Sequence, residues 1–284
     1  MILNPNVFIS FRPRMMSIAY RMLGSIVEAE DVVQEAFLRF QTADRIVSPE
    51  GFLVRVTTRL CIDRLREAKR DQYIGPWVPE PVETKDRLLN SAMAESLTQA
   101  FLLMLERLSP DERAAFLLRT VFDYEYAEIA SIIEKSETHV RQIVSRARQR
   151  LGHGEARFHS TENVASEFAE RFVAACRAGD LRQVEAMLAE DVTVHSDGGG
   201  KATAARVIIA GRDRAARFLT GVFHKRRQNC EMRMTQVNGE PGVVFLFDGV
   251  VVLVTSLWID NGVQSVYMQL NPDKLSRWSL TEVE

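Results

Sequence analysis

The chain changes rhythm at about residue 152. Before that point apolar residues recur every three or four positions, the spacing of helices that bury one face. Beyond about Asp191 they are β-branched or aromatic and come in runs of strand length. Those runs are parted by Asp197-Gly198-Gly199-Gly200, Asn238-Gly239, Asp248-Gly249 and Asn261-Gly262, all turn formers. Between the two regimes HGEARFHSTEN reads as a linker, and 162–190 hold two amphipathic helices broken at Gly179-Asp180. At 284 residues the chain is long enough for two or three domains. The expected order is all-helical first, then an α+β domain of helices followed by a curved antiparallel sheet.

Within the helical half, Ser25-Ile26-Val27-Glu28 has the form of a capping box and opens a helix running to about Phe40. Ala29, Val33, Ala36 and Phe40 form its buried face, and Asp31, Gln34, Glu35 and Leu38 keep the same rhythm on the other side. Ser48-Pro49 starts a second helix, with Phe52, Val56, Leu60 and Leu65 inward and a basic end, DRLREAKR. A second helical block is expected from about Leu88 to Leu151, with a strong start at Ser109-Pro110-Asp111-Glu112. The two blocks are joined by IGPWVPEPVE at 74–83, whose prolines make a stiff, extended strip carrying Trp77.

Residues 126–151 predict a short helix from Tyr126 to Ile133, a turn at Glu134-Lys135-Ser136, and a longer helix from Glu137 capped by Ser136. In the longer helix Val140, Ile143, Val144, Ala147 and Leu151 make the apolar stripe. Arg141, Ser145 and Arg148 line the opposite face, with Gln142 and Arg146 beside them. Long donors on the second helix of such a pair suit a major-groove reader, because arginine can bond a guanine edge with two N–H groups. Glu134 departs from the pattern. It stands where these turns often place glycine, at a cost of about 1 kcal/mol if φ is positive.

Composition excludes other classes. No apolar run reaches the length of a membrane span, since Val243–Ile259 is interrupted by Asp248-Gly249, and the N-terminus lacks a secretion signal, so a cytoplasmic protein is expected. Cys61, Cys176 and Cys230 are too far apart for a disulfide frame, and the five histidines fit no metal-ligand spacing. Neither a metal nor another cofactor is expected. The net charge of −2 averages a basic cluster (Arg64, Arg66, Lys69, Arg70), a second at 141–150, and an acidic one around Asp31. That separation predicts two kinds of partner.

An acidic D-x-x-Q-E helix, a basic helix ending DRLREAKR, a linker, and a helix-turn-helix ending VSRARQRL occur here in that order. Together they resemble the extracytoplasmic-function (ECF) class of bacterial RNA polymerase sigma factors, over residues 5–152. The remainder resembles a SnoaL-like domain, a cone of the ketosteroid-isomerase type, which one subgroup of these factors carries fused in cis. WVPEPV at 77–82, DGGGK at 197–201 and NPDKL at 271–275 match that subgroup. The resemblance implies sigma region two over 1–72, a Pro-rich linker over 73–93 and region four over 94–152. A second linker over 153–161 and a regulatory α+β cone over 162–284 would complete the chain.

The same resemblance implies core RNA polymerase and promoter DNA as partners. Asp31, Gln34, Glu35 and Leu38 would grip the polymerase. Arg55, Arg59, Arg64 and Arg66, with the loop from Thr42 to Ser48, would face the melted minus-ten element. Arg141, Gln142, Ser145 and Arg146 would read the minus-thirty-five element, with Thr138, His139, Arg148 and Arg150 nearer phosphates. Trp77 and Pro79 on the linker, and Asp197, Lys201, Asn271, Asp273 and Lys274 in the cone, would be interdomain contacts. The alternative for Trp77 is packing on the helices beside it.

Cones of this type can hold a pocket, so an unidentified small ligand remains open as a partner. His195, Asp197, Asp248, Tyr267 and Trp258 are the residues that could serve chemistry there. Asp197 and Asp248 both precede glycine and are better explained as turn residues, and no pair has a spacing that dictates acid–base catalysis; no enzyme is expected. Two other readings compete with the sigma factor: a ligand-responsive helix-turn-helix regulator acting without polymerase, and an isomerase- or cyclase-like enzyme. The acidic helix argues against the first, which has no use for a polymerase-docking face.

Overall fold

The computed structural model describes residues 5–68, 73–84, 97–151, 162–226 and 229–278. Among these, the helices are α1 (Pro5–Leu23), α2 (Ile26–Thr42), α3 (Pro49–Glu67), α4 (Gln99–Leu105), α5 (Pro110–Thr120), α6 (Tyr126–Ile133) and α7 (Glu137–Leu151). Then follow α8 (Glu162–Ala178), α9 (Leu181–Met187), β1 (Leu188–Asp197), β2 (Ile209–Ala210), α10 (Arg212–Arg226), β3 (Glu231–Val237), β4 (Glu240–Phe247), β5 (Val250–Ile259), β6 (Val263–Gln269) and α11 (Pro272–Leu275).

The chain forms two compact units, and their division departs from the expected first linker, 73–93, while the later boundary falls within the expected 153–161. The first holds α1–α3, most of α4 and α5–α7. The second holds everything from α8 onward together with segment 73–84 and residues Thr98–Ala100. The described part of the expected 73–93 linker is thus built into the C-terminal domain. Residues 85–93 and the 153–161 linker lie outside the described residues, as do Lys69, Arg70 and the start of the second helical block at Leu88.

In the first unit the caps form where the sequence places them. Ser25 accepts from the Glu28 N–H at 3.4 Å, Ser48 from Gly51 at 3.2 Å, and Ser109 and Glu112 make a reciprocal box. The α2 stripe of Ala29, Val33, Ala36 and Phe40 is buried as expected. In α3 the inward set shifts. Leu60 is buried with Leu53, Val54, Thr57, Thr58, Cys61 and Ile62, whereas Phe52, Val56 and Leu65 are half-buried. The helix is flanked by α1, α2, α5 and α6, so its buried surface is wider than one stripe.

The second unit is a six-stranded sheet in the order β2-β1-β6-β5-β4-β3. Its predicted turns all form, with positive φ at both residues of Asn238-Gly239, Asp248-Gly249 and Asn261-Gly262. The sheet is mixed and not wholly antiparallel, because β1 and β6 run parallel. The meander β3–β6 brings its last strand beside β1 in the same direction. Helix α10 was also not foreseen among the strands. It buries Ala215, Ala216, Leu219 and Phe223 against the core formed by α8, α9 and one face of the sheet. Val237, Val244, Leu246, Val251 and Val254 belong to the other face, with Leu275 and Trp278 packed on them.

Candidate functional sites

One buried carboxylate anchors the first half of segment 73–84. Asp197, at the end of β1, is fully buried. Its Oδ1 accepts from the Tyr73 hydroxyl at 2.7 Å and the Gly199 N–H at 2.9 Å. Its Oδ2 accepts from the Val78 N–H at 2.9 Å, Lys274 Nζ at 2.8 Å and Gln269 Nε2 at 3.4 Å. Lys274 Nζ also donates to the Val78 carbonyl at 2.7 Å and lies 4.5 Å from the Trp77 ring centre and 5.0 Å from that of Tyr73. One ammonium therefore meets a carboxylate, a carbonyl and two aromatic faces, which compensates for its removal from water.

The glycines of DGGGK follow from this crowding. Gly199 has φ +57°, and a Cβ there would stand 2.2 Å from Asn271 Nδ2. That amide donates to the Tyr73 hydroxyl at 3.0 Å, and its carbonyl oxygen caps α11 through the Asp273 N–H. Lys201 and Asp273 pair at 2.5 Å across the rim of this cluster.

Beyond Val78 the prolines place carbonyls where the sheet can reach them. Gln99 and Gln269 donate to the Pro79 carbonyl at 3.4 and 3.5 Å, and the Trp278 indole to that of Pro81 at 2.8 Å. Val82 then exchanges bonds with Asn238, at 3.0 Å to the side chain and 2.8 Å from its N–H. Glu83 pairs with Val237 as a short antiparallel addition to the β3 edge. Three proline rings remove donors that this packing would have to satisfy.

Tyr73, Gln269, Asn238, Gln99 and Trp278 were not among the sequence candidates. Only Tyr73 carried a signal, as an aromatic opening the proline strip.

The helix-turn-helix forms as the spacing predicts. Val140, Ile143, Val144, Ala147 and Leu151 are buried, and Thr138, His139, Arg141, Gln142, Ser145, Arg146, Arg148 and Arg150 are exposed. Ser136 caps α7 by accepting from the His139 N–H at 3.3 Å. Glu134 adopts φ +55°, the left-handed conformation anticipated for its position. Arg59 compensates: it pairs with Glu134 at 2.8 Å and donates to the Ile132 and Ser131 carbonyls at 2.9 and 3.4 Å, satisfying the end of α6. Arg59 therefore ties α3 to the end of α6.

Arg150, expected near phosphates, instead closes on Glu112 at 2.7 Å. Arg64 pairs with Asp31 at 3.8 Å, and Arg66 with Asp111 at 2.7 Å. Among the described residues Arg55, Arg146 and Arg148 have no ion-pair partner. On α2, Asp31, Gln34 and Leu38 are exposed and Glu35 is half-buried, pairing with Arg39 at 2.5 Å.

Of the residues weighed for chemistry in the cone, His195, Asp197 and Tyr267 share one face of β1 and β6, and Asp248 stands apart from them. Asp248 is an exposed turn residue. His195 bonds Thr193 at 3.2 Å and stacks near Tyr267, and burial pushes its imidazole down to about 4. It and Tyr267 pair across β1 and β6 in the same register as Asp197 and Gln269, placing them on the face of the linker cradle. Among the described residues no group of three potential ligands could hold a metal ion, and no helix is long and apolar enough to cross a membrane.

Three family models match in the same order as these structures: Sigma-70 region 2 over residues 7–71, Sigma-70 region 4 over 98–151, and a SnoaL-like domain over 169–260. The chain is 35% identical to the ECF RNA polymerase sigma factor SigJ of Mycobacterium tuberculosis, over 97% of this chain and 94% of that one. It belongs to the ECF RNA polymerase sigma factors. The crystal structure of the M. tuberculosis SigJ superposes with a TM-score of 0.78 at 34% identity, covering 96% of this chain and 98% of that one. A second M. tuberculosis relative, named "Probable ECF RNA polymerase sigma factor SigI", is 30% identical over 93% of this chain and 92% of its own. The sigma factor is thus a transcription initiation protein with a fused SnoaL-like domain, and not an enzyme.

Proposed function

We propose that this sigma factor is a cytoplasmic protein that docks on core RNA polymerase through Asp31, Gln34, Glu35 and Leu38. Arg141, Gln142, Ser145 and Arg146 read the minus-thirty-five element, His139 and Arg148 hold phosphates, and Arg55, Arg64 and Arg66 serve the minus-ten side. Arg59 and Arg150 join the DNA only if they leave their present partners. The C-terminal domain acts in cis by holding the connector between the two promoter-reading regions. The observation carrying this is the Asp197–Lys274 pair clasping Val78 by both its N–H and its carbonyl.

Run-off transcription with core polymerase and the full-length protein, on the promoter of its own gene and a panel of minus-thirty-five variants, tests both parts. Arg146→Ala is expected to weaken cognate promoter use and relax preference at one base pair by about 1–3 kcal/mol. An equal loss on every promoter would make Arg146 a phosphate contact. Trp77→Ala, which removes an aromatic face from Lys274, is expected to change transcript yield from all promoters alike. Unchanged yield would remove the connector from regulation.

A further inference from the structure

Arg141 differs from the other exposed arginines of α7 in being held on two sides. Its guanidinium carbon lies 4.2 Å from the ring centre of Tyr126, the first residue of α6. Its Nε and Nη2 donate to Glu137 Oε1, one turn earlier, at 3.2 and 2.6 Å. The carboxylate thus occupies the Nε–Nη2 edge and the phenol ring covers one face. The Nη1–Nη2 edge remains, which is the fork that can meet O6 and N7 of a guanine.

An arginine on a free stem spreads over many rotamers and reaches phosphates as readily as bases. One that is stacked and edge-bonded loses little freedom when it meets a base, and it cannot swing to the backbone without breaking both contacts. Among the described residues Arg146 and Arg148 have neither a ring nor a carboxylate partner. Tyr126 is itself anchored: the same ring takes Arg119 at 5.0 Å, and Arg119 is tied to the Tyr124 carbonyl at 2.9 Å.

We propose that Tyr126 is a positioning residue for promoter selectivity, presenting the Nη1–Nη2 edge of Arg141 to one guanine of the minus-thirty-five element. This rests on the reading of α7 as the helix that enters the major groove. Tyr126 acts through Arg141 and needs no contact with DNA of its own.

The test is run-off transcription with core polymerase and full-length protein on single-base variants of the minus-thirty-five element. Arg141→Ala is expected to lose discrimination at one base pair. Tyr126→Leu loses discrimination at that same pair, with cognate transcript falling about fivefold. Tyr126→Phe keeps the ring face and retains selectivity. Tyr126→Leu combined with Arg141→Ala is no worse than Arg141→Ala alone, whereas a purely structural role would add a further loss.

Three results overturn the proposal. They are a Tyr126→Leu variant that keeps the discrimination Arg141→Ala loses, a Tyr126→Leu variant that lowers every promoter equally, and a Tyr126→Phe variant that loses as much as leucine, which would assign the role to the hydroxyl. If Arg141→Ala and Arg146→Ala both leave the variant profile unchanged, the reading of α7 fails instead. Melting temperatures of the full-length variants show whether a loss comes from unfolding, and the phenylalanine variant keeps the comparison decisive if leucine unfolds the helix pair.

Discussion

Asp197→Ala is expected to destabilise the C-terminal domain by about 3–5 kcal/mol and to expose segment 73–84 to proteases. The substitution takes an acceptor from five buried or half-buried donors: the Lys274 ammonium, the Tyr73 hydroxyl, the Val78 and Gly199 N–H groups and the Gln269 amide. Lys274 suffers most, because only 12% of its side chain is exposed and a carbonyl and two ring faces do not replace the lost carboxylate charge. Restoring hydration to these groups requires the segment to lift from the sheet, taking Val78 and Val82 from burial into water.

Urea melts and limited proteolysis between residues 73 and 84 measure the two effects. Asp197→Asn keeps an acceptor but loses the charge and is expected to fall between. Lys274→Met in the Asp197→Ala background is expected to recover part of the loss by removing the stranded ammonium. A single variant that melts within about 0.5 kcal/mol of the parent would show that the clasp does not hold the segment.

Where the fold was legible, its signal was local. The α7 stripe repeats at helical spacing over four turns, so its buried residues and exposed donors could be assigned from periodicity alone. Each hairpin turn carries Asn-Gly or Asp-Gly, whose φ requirement is written in two adjacent residues. In α3 the periodic reading failed because several helices pack around it and small polar residues, Thr57 and Thr58, are buried beside the apolar ones. The β1–β6 parallel pair has no local signature, since it follows from where a later meander ends.

Asp197 shows both outcomes in one residue. Its turn role is real, because Oδ1 accepts from Gly199 two residues on at 2.9 Å. Its other oxygen binds Val78, 119 residues earlier, and Lys274, 77 residues later, and no sequence window contains those partners. Arg59 is similar. Its basic character pointed to DNA, but the left-handed Glu134 and the open carbonyls of α6 gave it an intramolecular task.

Glu240→Gln is expected to make the C-terminal domain more stable at pH 8 by roughly 4 kcal/mol and to flatten its pH dependence between about 4.5 and 8. Glu240 opens β4 on the face that carries segment 73–84, 5% exposed. Its carboxyl faces the backbone N–H of Gln99 and the Ser256 hydroxyl, yet neither carboxyl oxygen completes a hydrogen bond of ordinary geometry. Burial pushes it up to about 8 from an ordinary 4.5, despite the favourable placement of an anion near the first turn of α4. Across that window the folded domain holds a proton that the unfolded chain has released. Stability therefore falls as pH rises, by about 1.4 kcal/mol per pH unit. Below 4.5 both states are protonated, and the variant and parent should differ by less than about 1 kcal/mol. Above 8 the full penalty is present and the curves run parallel. Thermal melts of both proteins from pH 4 to 9 check this. Parallel curves over the whole range would show that Glu240 ionises normally.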